Sequence, residues 1–207
     1  MKWSRIREFL MRRSLVVGLL TITPMLVMLL ALLACVNHPV GDPERSRMDS
    51  QFVGVWQTED AEGTKTLAFI RPYDPRTYLI GAFSYTEKDG QIVPDQQYDF
   101  KAWLTPLADK TFITLEPLIW SHFAGITENP PYLVAEIQRV ENTLRLRFVD
   151  GQAERVREAD DARELEAVIR EHADEEALYA DDRQVFDPMK DLSHIEAVLE
   201  AFDPTND

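Results

Sequence analysis

The chain has 207 residues, 45% of them apolar and 28% charged, with 36 acidic side chains against 22 basic and a single cysteine. That length suffices for one domain with a sizeable core, and the acidic surplus excludes a basic surface of the kind that tracks nucleic-acid phosphates. One thiol also excludes an internal disulfide framework, so the fold must be held by packing.

Residues 1–34 have the organisation of an export signal. Lys2, Arg5, Arg7, Arg12 and Arg13 stand against one acid, Glu8, and an apolar run follows from Leu15 to Ala34. Basic residues ahead of an apolar run favour a cytoplasmic N-terminus with the remainder passed across the membrane. The run is also long enough to span a bilayer as a helix, so a retained transmembrane anchor is the alternative. The run ends in Leu32-Leu33-Ala34-Cys35 and turns polar at Asn37. This ending resembles the bacterial lipobox, which implies diacylglycerol attached to Cys35, cleavage before it and acylation of the new amino group. Val36 in place of an aspartate leans, by the same resemblance, towards the outer membrane. Arg12-Arg13-Ser14-Leu15 is also similar to a twin-arginine export signal. Five of the basic residues and one acid lie before Cys35, leaving a formal charge near −18 downstream. Such a surface repels anionic lipid, so membrane attachment has to be covalent or apolar, and one acyl chain alone would hold it only reversibly.

Residues 35–50 hold Pro39, Gly41, Pro43 and several charges, with Met48 the only larger apolar side chain after Val40, and are expected to form a lipidated N-terminus and flexible tether. Residues 51–157 then read as a β domain. Strands are predicted over 52–56, 65–71, 76–86, 97–104, 111–118, 132–140 and 143–149, with alternation clearest at Tyr98, Phe100, Ala102 and Leu104. Asp74-Pro75, Asp89-Gly90, Ala108-Asp109-Lys110 and Glu141-Asn142 punctuate them. The fold class is therefore mainly β, an antiparallel meander closed into a barrel or strongly curled sheet, because closure removes sticky edges. Residues 158–207 are expected to form a helical extension packed on that domain. One helix lies within 161–173, capped by Asp160 or Asp161, with Leu165, Val168, Ile169 and His172 as its stripe. A second covers about 196–202, with Ser193 as N-cap, Glu196 closing a capping box, and Ile195, Val198, Leu199 and Phe202 as its stripe.

Gly54-x-Trp56 in an early strand, followed by strands at regular spacing, resembles the lipocalin and calycin pattern over at most residues 52–157. The layout is also similar to small lipocalin-like lipoproteins of proteobacteria. The resemblance implies a tryptophan closing one barrel end under an arginine from the last strand, a part open here to Arg147 or Arg155. A cavity in such a barrel would be lined by the alternating faces holding Phe69, Phe83 and Tyr85, then Phe100 and Leu104, then Phe112 or Ile113, Leu133 and Phe148. It would suit a fatty acid, lysolipid or other apolar envelope molecule, although the same side chains also suffice to fill a small barrel. The connection from Trp120 to Pro131 carries Trp120, His122 and Phe123 as candidate contacts to a ligand or neighbouring protein.

Catalytic chemistry has little support in the sequence. Ser121-His122 lacks a nucleophile elbow, and a lipid-bearing Cys35 cannot act as a nucleophile. The acidic run Glu171-His172-Ala173-Asp174-Glu175-Glu176 follows neither a calcium-loop nor a zinc-helix spacing, so no metal or other cofactor is expected. Together with Asp181-Asp182 it offers an incidental divalent site at most, with His172 and Asp174 as the leading members. The expectation is a lipid-anchored, periplasm-facing envelope protein that binds or sequesters a small apolar ligand, without nucleic acid as a partner. The alternative is a non-catalytic structural or assembly module that contacts another envelope protein.

Overall fold

The computed structural model describes residues 35–118 and 132–203. Nine strands lie among the described residues: β1 Cys35–Val36, β2 Gly54–Glu59, β3 Lys65–Pro72, β4 Tyr78–Lys88, β5 Gln91–Leu107, β6 Lys110–Pro117, β7 Tyr132–Val140, β8 Thr143–Val149 and β9 Tyr179–Pro188. Three α-helices, α1 Glu154–Arg157, α2 Ala162–His172 and α3 Leu192–Ala201, complete the described elements with two single 3-10 turns. Strands β2 to β8 form an antiparallel meander, β9 pairs with both β2 and β8, and the sheet closes into an eight-stranded antiparallel barrel. The mainly β barrel expected from the alternating pattern is therefore present. Tight links make the meander workable. At Asp89-Gly90 both residues have positive φ, +54° and +77°, which matches the right-handed twist of a two-residue hairpin.

Residues 179–188 were not expected to be a strand. Their sequence, Tyr-Ala-Asp-Asp-Arg-Gln-Val-Phe-Asp-Pro, is mostly polar and continues the acidic run before it. What recruits it is the pair of edges that β2 and β8 would otherwise leave unpaired. The barrel is thus incomplete at residue 157, and the stretch expected as a helical extension supplies its last wall. At the other end of the β domain, 52–56 divides into a 3-10 turn over Ser50–Phe52 and a strand that begins only at Gly54.

Residues 36–50 do not form a free tether. Val36 pairs with Tyr132, and Val36 and Val40 are buried in an apolar cluster on the outside of the barrel. The Val40 carbonyl accepts hydrogen bonds from Trp103 Nε1 at 2.8 Å, Thr114 Oγ1 at 2.8 Å and Thr105 Oγ1 at 3.2 Å. Ser46 bridges to the Leu104 backbone through both its donor and its acceptor. Glycine is required at position 41, where φ is +75° and an added Cβ would overlap the Thr105 side chain. The composition that reads as a linker lacks the large side chains of a core, but it carries the two small valines and the glycine needed to lie flat against a wall.

Both longer helices begin on aspartate caps. Asp161 accepts from the Arg163 and Glu164 amides, and Asp191 accepts from those of Ser193 and His194, so the cap of α3 is Asp191 rather than Ser193. Hydrogen bonds to the charged form hold both carboxyls below their ordinary value, chiefly from the Glu164 amide for Asp161 and the Ser193 side chain for Asp191. Their stabilising effect is complete above the unfolded value of about 4 and is lost as pH falls through the lower folded values. We expect Asp161→Asn, which keeps a capping oxygen, to flatten this acid limb in urea melts below pH 4 while leaving the neutral-pH midpoint little changed.

Candidate functional site

Three apolar clusters organise the molecule, and strand parity decides which residue joins which. The interior cluster includes Trp56, Ala68, Ile80, Phe100, Ile113 and Phe186. A second cluster lies outside the barrel under α1, α2 and residues 36–40, where Phe112 and Val134 meet Leu165 and Ile169. The third lies under α3, where Leu67 and Tyr85 meet Ile195 and Val198.

One end of the barrel is closed by residues just ahead of β2. Met48 and Phe52 pack into the interior cluster, and Trp56 Nε1 donates to the Phe52 carbonyl at 3.0 Å. Tyr78, fully buried, accepts from the Asp49 amide and donates to the Asp49 carbonyl. The cation over the Trp56 indole is Arg139 of β7, 5.7 Å from the ring centroid, whose guanidinium also donates to the Gln51 carbonyl. Neither arginine expected from the resemblance takes that part. Arg147 lies over the Tyr179 ring at 3.9 Å and pairs with Glu176, and Arg155 pairs with Glu175. The reason is register: Arg139 stands near the closed end of β7, whereas Arg147 is at the far end of β8.

The opposite end, where the described residues are less buried, is termed the mouth. Here the interior-facing Tyr98, Leu133 and Phe148 are only half-buried, with Tyr98 stacked on Phe100 at 6.1 Å. Polar groups at this level among the described residues include the Tyr98 hydroxyl, which donates to Gln96, and Ser84 beside Asp95. Asp95 is the extra residue of a β-bulge where β4 and β5 leave register. The candidate contacts Trp120, His122 and Phe123 fall between β6 and β7 and lie outside the described residues.

Between the two ends the wall is thinly furnished. Ala68 of β3 pairs directly with Ala82 of β4, so these two strands contribute little side-chain volume here, between Trp56 of β2 and Tyr98 of β5 in the same row. Ile80, Phe100, Leu115 and Phe186 keep 7–8% of their surface and Leu146 keeps 9%, whereas Phe112, Val134, Ile169 and Leu178 in the outer cluster keep none. Residual exposure of this order also occurs beneath the helices, with Val156 at 6%, Ala159 at 8% and Ile195 at 9%. An eight-stranded barrel has just the width at which side chains fill the interior or leave room for one small ligand.

Of the expected lining, Phe100, Leu104, Ile113, Leu133 and Phe148 face the interior. Phe69, Phe83 and Tyr85 do not. Phe69 and Phe83 meet edge-on at 5.6 Å, Phe83 meets Phe202 at 5.1 Å, and the Tyr85 hydroxyl lies 2.7 Å from His194 Nε2 beneath α3. Phe112 is likewise on the outside. Both faces of β3 and β4 are apolar because one meets the interior and the other meets α3, so alternation alone selects the wrong set. The small residues Ala68 and Ala82 carry the more useful signal, readable as the positions complementary in parity to Phe69 and Phe83.

The acidic run is tied into an ion-pair network. His172 Nδ1 lies 2.7 Å from Glu175, Asp174 pairs with Lys110 at 3.1 Å, and Glu176 bridges Arg147 and Arg183. The Tyr179 hydroxyl, with one proton to donate, lies 2.8 Å from Glu136 and 2.7 Å from the Ala173 carbonyl, and burial together with Glu136 pushes its phenol far upward. Among the described residues no three His, Cys, Asp or Glu side chains converge to hold a metal. Burial pushes the Cys35 thiol up to about 11, which leaves little thiolate at neutral pH and makes it a poor nucleophile. Among the described residues no helix is long and apolar enough to cross a membrane. No protein-family model, no curated protein and no solved structure matches the chain.

Proposed function

We propose that this protein is anchored in the bacterial envelope through a lipid on Cys35, faces the periplasm from the outer membrane, and holds one small apolar ligand inside its barrel. The observation that carries the ligand reading is the pair of small residues Ala68 and Ala82 in an apolar inner wall, set between a closed end and a less buried mouth. Phe100, Leu115, Leu146 and Phe186 supply the apolar surface. Tyr98, Ser84 and Asp95 supply polar groups at the mouth, the arrangement in which burial drives binding and a few polar atoms fix orientation. A fatty acid or lysolipid, with one apolar chain and one polar end, fits that distribution.

The test is native mass spectrometry followed by denaturing lipid analysis on the protein purified from its host envelope, together with the variant Ala68→Leu. We expect a stoichiometric apolar species on the natural protein and its loss in the variant. Filling a real void is expected to leave the unfolding midpoint unchanged or raised, whereas overpacking a full core costs about 1–3 kcal/mol. Empty natural protein together with a destabilised variant would mean a filled barrel and would move the search to protein partners.

A further inference from the structure

We propose that the barrel is held mouth-down against the lipid bilayer, so that an apolar ligand passes between membrane and barrel without crossing water. This rests on the anchoring at Cys35 and on the ligand reading above. Three features of the structure carry it.

The first is where the apolar N-terminal sequence meets the domain. Residues 15–34 are the apolar run, and the next residue, Cys35, is already in β1. The second is the absence of slack after it. Val36 is buried and hydrogen-bonded strand pairing begins at once, so an anchor at Cys35 has no spacer between itself and the wall. The third is the register. Cys35 pairs with Leu133 and Val36 with Tyr132, in line with β8, whose Phe148 pairs with Ala135 two residues further along β7. Directly opposed residues of an antiparallel pair share a face. Leu133 packs with the interior cluster, so Cys35 stands on the inner face of the wall at the mouth, beside Phe148. Val36, one residue on, joins the outer cluster.

An anchor attached there leaves from the rim of the mouth, while the closed end, with Trp56 and Arg139, lies at the opposite end of the strands. Neutral or zwitterionic headgroups suit this contact better than anionic ones, since the chain downstream of Cys35 is strongly acidic.

The test uses the full chain, processed in a bacterial host and reconstituted into vesicles of phosphatidylethanolamine with a minor fraction of phosphatidylglycerol. Glu62→Cys and Arg76→Cys, both at exposed turns, are labelled singly with an environment-sensitive dye. These turns flank β3 at the mouth and at the closed end, roughly 25 Å apart. Quenching by lipids that carry a nitroxide near the headgroup is expected to be several-fold stronger at position 62 than at position 76. A ten-residue Gly/Ser insertion between Cys35 and Val36 is expected to abolish the difference. Equal quenching at both positions, or a difference that survives the insertion, overturns the orientation. Flotation of the same samples separates the two levels: protein that floats with vesicles but shows no positional difference refutes only the orientation, whereas protein that stays in the dense fraction refutes the anchoring and the orientation with it.

Discussion

A chain that begins at Met48 is expected to be less stable than one that begins at Cys35 by at least about 5 kcal/mol, read as a lower urea midpoint by circular dichroism. The estimate combines two lost valine burials of about 1.5–3 kcal/mol each with buried donors left without the Val40 carbonyl, at about 1–3 kcal/mol apiece. Trp103, almost fully buried, would lose the acceptor of its indole N–H, and Thr114, fully buried, would lose its own. A deficit of that size consumes much of the stability of an ordinary domain, so the shortened chain is expected to expose apolar surface and bind ANS. The measurement also decides what residues 36–47 are. Equal midpoints for the two chains would show that the segment contributes nothing to the fold and acts as a tether after all. The orientation proposed above would then lose its physical basis, because slack next to the anchor lets the barrel turn freely.

The second large effect is expected at the closed end. Trp56→Ala should cost about 3–5 kcal/mol, the range for removing a buried large aromatic side chain when the surroundings relax only in part. The side chain is 3% exposed and ties Phe52 to the barrel through its indole N–H, so its loss unseats the 3-10 turn as well as leaving a hole. Arg139→Ala should cost about 1 kcal/mol, since the cation over the ring is exposed and adds one hydrogen bond to the Gln51 carbonyl. Arg155→Ala, which breaks an exposed pair with Glu175, should change the midpoint by less than either. A double-mutant cycle between Trp56 and Arg139 isolates their coupling. A coupling of zero would reduce Arg139 to a surface residue and leave the closure to Trp56, Phe52 and Tyr78 alone. The same variants bear on the ligand reading: a barrel opened at both ends should lose any retained apolar species faster, while one opened only by Arg139→Ala should retain it.

Other results would reassign the function. If the natural protein purifies empty and Ala68→Leu destabilises it, the interior is a core and nothing more. The exposed apolar side chains on α3, Leu192 at 72% and Leu199 at 41%, then become the first surface to test for a protein partner.

Much of this molecule is legible in its sequence because the governing signals are local. The strands from β3 to β8 follow from alternation and from turn residues at fixed offsets, and the cap of α2, to within Asp160 or Asp161, from a short acidic side chain before an apolar stripe. The single thiol and the apolar run before it are likewise plain from composition. Tertiary structure decided the rest. Whether Phe69 or Ala68 faces inward is a question of which side a helix 130 residues later comes to cover, and both sides of β3 are apolar in anticipation. Residues 179–188 become a strand because two distant edges need a partner, against a local composition that favours solvent. Val36 and Val40 become wall contacts, and Arg139 rather than Arg147 covers Trp56, because closing a barrel fixes the register between segments far apart in the chain. Local propensity is set by each residue and its near neighbours, whereas the face a residue presents and the cation it meets depend on where the chain returns.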